Sequence, residues 1–187
     1  MAFEEYLREK ELVIRGFVII TPRPAFALEI LPSEDSWMEM FRVCYTRPLE
    51  VLKISSPYFK GNSQLVVLSG VTSVQAVPEY ASYGVLRKIW LAEAKSLAWM
   101  LGAKGISVNT VSPGVVQTSV HLDKWRNEAK ARKISLDEFL DEKAKSYPSK
   151  KNTSKKDVAE AICFFLSGQS NITGQNLVVD GGVSQVY

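Results

Sequence analysis

Apolar positions fall into four short runs, set apart by stretches with helical spacing. Phe17-Val18-Ile19-Ile20 is uninterrupted and rich in β-branched side chains, the pattern of a strand covered on both faces. Gln64 to Ser69, Ile106 to Val111 and Asn176 to Val179 read the same way, and with Phe17 to Thr21 they make four predicted strands. Between them the period changes. Phe3 to Val13 reads as a helix stopped by Gly16. Ser33 opens a helix on which Trp37, Phe41, Cys44, Tyr45, Leu49 and Leu52 recur at helical spacing, with Pro48 inside it as a predicted kink. Trp90, Leu91, Ala94, Leu97, Ala98 and Leu101 form the apolar stripe of the longest helix, from about Ala81 to Leu101, and Gly102 closes it. Ser119 to Ser146 is charged and helical. Ser154 and Asp157 have the spacing of a capping box before an apolar helix, Val158 to Leu166. Strands alternating with helices predict a parallel sheet of βαβ units in a single domain, residues 1–187.

Composition narrows the function classes. The chain has 187 residues, 46% hydrophobic and 23% charged, and at that length it can bury roughly 70% of its unfolded surface without disulfides or metal. Cys44 and Cys163 do not make a framework. His121 is the single histidine, which argues against a His/Cys zinc site and against a Ser-His-Asp triad. A net charge of +3 from 23 bases and 20 acids is no nucleic-acid footprint. The basic stretch Lys150 to Lys156 has no interleaved aromatics and reads as a solvated loop. No apolar run approaches the roughly 20 residues of a membrane span. The expectation is a cytoplasmic protein with neither nucleic-acid nor membrane partner.

Short motifs lie in a fixed order along this α/β pattern: Tyr83 with a base at Arg87, then Asn109-Thr110-Val111-Ser112-Pro113-Gly114 with Thr118, then Ile172-Thr173-Gly174-Gln175, then Val179-Asp180-Gly181-Gly182. From about Phe17 to Gly182 the chain resembles the C-terminal two-thirds of the short-chain dehydrogenase/reductase family, which includes the 3-oxoacyl-carrier-protein reductases. The resemblance implies a truncated Rossmann-like, doubly wound α/β fold of about four strands with helices on both faces. It implies NAD- or NADP-dependent oxidoreduction of a carbonyl or alcohol. It assigns Tyr83 and Arg87 to the catalytic Tyr-x-x-x-Lys positions, and Pro113, Gly114 and Thr118 to the loop that contacts the nicotinamide. Residues 1–16 form an N-terminal helical segment, and residues 119–147 correspond to the substrate lid.

The departures from the family pattern carry as much information. No G-x-x-x-G-x-G stands before Phe17, so a phosphate loop at a helix N-terminus is missing from the given sequence. The family's Asn-Asn-Ala-Gly aligns with Thr21-Pro22-Arg23-Pro24, its active-site Asn with Cys44, its catalytic Ser with Gly70 and its Lys with Arg87. Ser69, Thr72 or Ser73 could replace the Ser if the loop were shifted. Cys44, on an apolar stripe, reads as a buried inert thiol. His121 reads as a surface or capping residue, and Asp180-Gly181-Gly182 as a tight turn.

These losses together predict a family member that is not competent on its own and does not bind NAD(H) or NADP(H) usefully by itself. The alternatives are a non-catalytic binding or assembly subunit, and a piece of a split reductase completed by another chain. The uncharged strand 17–21 would be a bare sheet edge. It predicts a homo-oligomer, or a second subunit covering that edge, with Trp90 and Trp99 suited to a contact between copies.

Overall fold

The computed structural model describes residues 2–22, 31–77, 80–168 and 171–185. Four parallel strands lie in chain order across one sheet: β1 (Ile14–Ile20), β2 (Phe59–Leu68), β3 (Ser107–Pro113) and β4 (Asn176–Val179). The helices are α1 (Ala2–Glu9), α2 (Glu34–Phe41), α3 (Arg47–Ser55), α4 (Ala81–Gly102), α5 (Ser119–Ala131), α6 (Leu136–Ser146) and α7 (Lys155–Leu166). This is the Rossmann-like doubly wound sheet expected from the sequence.

Strand β2 shows why the sheet has two covered faces. Leu65 and Val67 point into a core shared with Leu52 of α3 and with Trp90, Ala94 and Leu97 of α4. Val66, between them, points the other way, onto Val158, Ala161 and Phe165 of α7. An apolar run without alternation is therefore a strand buried on both sides. β1 corrects the same reading. Ile19 is buried, but Ile20 is 67% exposed. β1 has β2 on one side and no described strand on the other, so part of its face lies beyond the helix cover.

Strands β1 and β2 also begin earlier than predicted. Lys60-Gly61-Asn62 reads as a turn, and Asn62 does take a left-handed φ of 69°. The ladder nevertheless starts at Ile14↔Phe59 and resumes at Gly16↔Gln64 after a shift in register. Ser63 patches the irregularity, its hydroxyl standing 2.7 Å from the Ile14 carbonyl and 2.6 Å from that of Lys60.

Pro48 does not produce the expected plain kink. A π-helical turn, Arg42–Thr46, joins α2 to α3, and Pro48 sits in the first turn of α3. Trp90, expected at a contact between copies, is instead 1% exposed inside the core, whereas Trp99 is 89% exposed.

The capping box of α7 is present: Asp157 N–H donates to Ser154 Oγ (3.1 Å) and Ser154 N–H to Asp157 Oδ2 (2.7 Å). The charged segment from Ser119 breaks at Lys133 (φ 58°) into α5 and α6, which share a small core of Trp125, Ala129 and Phe139. Among the described residues, no helix is long and apolar enough to cross a membrane.

Candidate active site

Tyr83 and Arg87 stand one turn apart at the start of α4, and their side chains part company. The Tyr83 ring, 1% exposed, packs with Met40, Cys44 and Leu86. Its hydroxyl donates to the main-chain carbonyl of Pro22 over 2.9 Å. The Cys44 thiol donates to that same carbonyl at 3.3 Å. Burial pushes this thiol up to about 11, against a smaller opposing pull from the Arg87 charge. Cys44 is therefore a neutral thiol near pH 7 rather than a nucleophile.

Arg87 lays its guanidinium over the Tyr83 ring. Cζ lies 4.5 Å from the centroid of the Tyr83 ring, a cation over a π face. Nη1 donates to Thr72 Oγ1 at 3.0 Å, while Nε is buried without an acceptor. The group fills the volume over Gly70. A Cβ there would collide with Nη1 and come within 2.6 Å of Cζ. The backbone at Gly70 is extended (φ 161°) and would accept any residue, so it is space, not conformation, that is contested. The Arg87 guanidinium thus occupies the room that a side chain at Gly70 would need.

The neighbouring hydroxyls are engaged inside the fold. Ser69 Oγ donates to the Arg87 carbonyl (3.3 Å) and Ser73 Oγ to that of Gly70 (2.7 Å). Ser73 Oγ also lies 3.1 Å from Ser112 Oγ, and Ser112 Oγ donates to Asn176 Oδ1 over 2.7 Å. This buried chain joins the turn after β2 to the C-terminal end of β3 and to Asn176, the first residue of β4.

Pro113 and Gly114 end β3 beside β4. Gly114 N–H donates to the Val179 carbonyl over 2.9 Å, and a Cβ on Gly114 would lie 2.7 Å from that of Asp180. A glycine is required by that approach. Asp180, 8% exposed, accepts from the N–H groups of Gly182 and Ser184, both at 2.8 Å. Burial opposes its ionisation, but the hydrogen bonds from Ser184, Gly182 and Val183 outweigh burial and lower its pKa. Thr118 begins α5 as its N-cap without a side-chain cap. Its Oγ1 is 3.3 Å from His121 Nδ1, which in turn is 2.9 Å from the Val116 carbonyl, and the imidazole stacks on Trp125. His121 and Arg87 line one cleft of about 100 Å³ with Thr72, Tyr80 and Gly114. The sequence-assigned residues thus share one end of the sheet. Pro113 and Thr118 act there through backbone and helix start, and Tyr83 points into the core between α2 and α4.

Sequence reasoning missed the Pro22 carbonyl as the acceptor for Tyr83 and Cys44. It also missed Thr72 as the anchor of Arg87. A glycine thirteen positions before the Tyr, together with a longer base at Arg87, was the signal available. Arg23 and Pro24, aligned with the family's Asn-Asn-Ala-Gly, lie outside the described residues.

The profile described as Enoyl-(Acyl carrier protein) reductase matches residues 23–184. The chain belongs to the short-chain dehydrogenase/reductase family. It is 28% identical over 158 residues to the 2,3-dihydro-2,3-dihydroxybenzoate dehydrogenase of Bacillus subtilis, covering 81% of this chain and 59% of that protein. It is 29% identical over 126 residues to a 3-oxoacyl-acyl-carrier-protein reductase of Rickettsia conorii, covering 66% of this chain and 47% of that protein. The chain therefore spans about half the length of such curated relatives. Among solved structures, the ligand-free aldohexose dehydrogenase of Thermoplasma acidophilum shares the fold at a TM-score of 0.81, with 19% identity, covering all of this chain and 75% of that one. A 4-hydroxyisoleucine dehydrogenase in complex with NADH shares it at 0.73, with 21% identity, covering 100% and 76%. The chain is thus an oxidoreductase homologue with the short-chain dehydrogenase/reductase fold.

Proposed function

We propose that this 187-residue chain is a short-chain dehydrogenase/reductase homologue that does not reduce carbonyls by itself. One observation carries this reading: the Arg87 guanidinium occupies the space over Gly70 and lies on the face of the Tyr83 ring, while the Tyr83 hydroxyl is committed to the Pro22 carbonyl. A proton donor for a substrate oxygen must have its hydroxyl reachable and its pKa lowered by a cation. Here the hydroxyl is buried against the chain's own backbone, and the cation stands beside the ring. The residues present do not fit nicotinamide-dependent reduction in this arrangement. Pro113, Gly114 and Thr118 stand where the family resemblance puts the cofactor-contacting loop, yet Gly114 is explained by its packing on Asp180 alone.

The test is an assay of the purified chain with NADH and with NADPH against a panel of 3-oxoacyl thioesters, aldoses and diketones, alongside calorimetric titration of each cofactor. The expected result is no turnover above buffer and no saturable heat below millimolar cofactor. Turnover that Tyr83→Phe abolishes would overturn the reading.

A second reading concerns assembly, and β1 favours it. No described strand pairs with its outer side, Gly16 to Ile20 carries no charge, and Phe17, Ile20, Val43 and Val51 line an open apolar cleft of about 320 Å³ beside it. Such an edge recruits strands. A second copy of the chain, pairing β1 with β1, would satisfy both the edge and the cleft. Light scattering at micromolar concentration tests this. A monomer that protects the Val18–Ile20 amides from exchange would overturn it, and a stable complex with a different chain would replace the second copy by a distinct subunit.

A further inference from the structure

Among the described residues, Arg87 is a cation with no acidic side chain paired to it. Its contacts are all accounted for: Thr72 Oγ1 accepts from Nη1, Tyr83 presents its ring, and no acidic side chain among the described residues pairs with it. The thiol that feels its charge, Cys44, is neutral near pH 7. Nε is buried without an acceptor, and among the described residues no hydrogen bond is recorded for Nη2. Thr72 and the Tyr83 ring offset part of the desolvation of this part-buried guanidinium, but among the described residues no anion completes it.

The same guanidinium is held rigid. Stacking on Tyr83, the bond to Thr72 and the absence of a side chain at Gly70 fix its plane at the wall of the 100 Å³ cleft. Tyr80, Val77 and Val115 form other walls. An immobilised planar fork beside an apolar cavity is the arrangement that recognises a carboxylate, and it loses little entropy in doing so. Val71, Val77 and Val115 in the lining offer nothing to the oxygens of a phosphate dianion, whereas the alkyl body of a carboxylate packs on them.

We propose that this cleft binds a small aliphatic carboxylate, with the carboxyl group on Arg87 and the alkyl body against Val77 and Val115. The replacement of Lys by Arg and of Ser by Gly would then be a change of use, from polarising a carbonyl to holding an anion. No turnover is required, and the test contains no nicotinamide, so its failure and that of the non-catalytic reading are separable.

The probe is butyrate, titrated into the full 187-residue chain and followed by calorimetry and by amide shifts of Thr72, Gly114 and Val115. Butyramide serves as the uncharged isostere and inorganic phosphate as the competing anion. Saturable butyrate binding is expected, at least roughly tenfold tighter than butyramide or phosphate, since a charge-assisted pair is lost in the first and the alkyl contact in the second. Arg87→Gln should weaken butyrate by about tenfold or more, and Arg87→Lys, which keeps the charge but not the fork, should fall between. Equal binding of butyrate and butyramide to the unaltered chain would overturn the proposal, whatever the variants do. So would a folded Arg87→Gln chain that binds butyrate as tightly as its parent.

Discussion

The indole N–H of Trp90 donates to the main-chain carbonyl of Cys44 over 2.8 Å, and Pro48 is the reason that carbonyl is free. In an α-helix the N–H four residues on would take it, but residue 48 has none. The chain therefore turns π-helical over Arg42–Thr46 and borrows a donor from α4. Trp90→Phe should leave a buried carbonyl unpaired and cost about 1–3 kcal/mol. In a Pro48→Ala background a local N–H becomes available, and the same substitution should cost less. Urea denaturation of the four members of this cycle measures the difference, and strict additivity would contradict it.

Gly70 and Arg87 should behave as one unit. Gly70→Ser inserts atoms where the guanidinium lies and should cost about 1–3 kcal/mol as overpacking. Arg87→Ala empties that space, so the double variant should be more stable than the sum of the two single effects predicts. Chemical denaturation reads the coupling; a value near zero would mean that Arg87 simply swings aside.

The α7 capping box sets a further expectation. Ser154→Ala removes the acceptor for the Asp157 N–H and should destabilise by roughly 1 kcal/mol. Thermal melts of the variant and its parent suffice to check it.

Acid should undo two carboxylates together. The Asp157 pKa is lowered chiefly by the hydrogen bonds of Ser154, and the Asp180 pKa is lowered by Ser184 and Gly182 against the opposing effect of burial. For groups depressed in the folded state, stability is fully present above the unfolded value of about 3.9 and drains away as pH falls through the folded one. Stability measured from pH 6 downward should decline below about pH 4. Asp180→Asn should be less stable than the parent at pH 6, and the gap should narrow as pH falls. A gap that stays constant would rule out Asp180 as a contributor.

The fold was readable where one rule acted alone. Leu65-Val66-Val67 could only be a strand covered twice, and Ser154 with Asp157 could only cap a helix. Phe59 to Ser63 was not readable, because Asn62 gives a turn signal that the Ile14 ladder and the Ser63 hydroxyl override. At the candidate site, the family resemblance placed Tyr83, Arg87 and Gly70 together. It could not say that the guanidinium would lie on the ring, because that choice rests on Thr72 and on the Pro22 carbonyl, which come from other elements. Trp90 lies on the apolar stripe of α4 and Trp99 on the opposite face of the same helix, so helical position sends the first inward, against Tyr45 and the Cys44 carbonyl, and leaves the second at the surface.

Helices α5 and α6 leave and rejoin the body at one point, where Val116 bridges Thr153 and Gln117 N–H donates to the Thr153 carbonyl over 3.1 Å. Between these two positions the hairpin keeps its own core on Trp125, Ala129 and Phe139. A segment with private packing, tied to the body by this clasp and by the Ser149 N–H to the Gly181 carbonyl over 3.0 Å, can unfasten as a cooperative unit without unzipping the sheet. Its amides should exchange with deuterium together, at an opening free energy below that of β2 and β3. The roof of the Arg87 cleft, where His121 sits, would then open and close on the hairpin's own clock rather than on that of global unfolding.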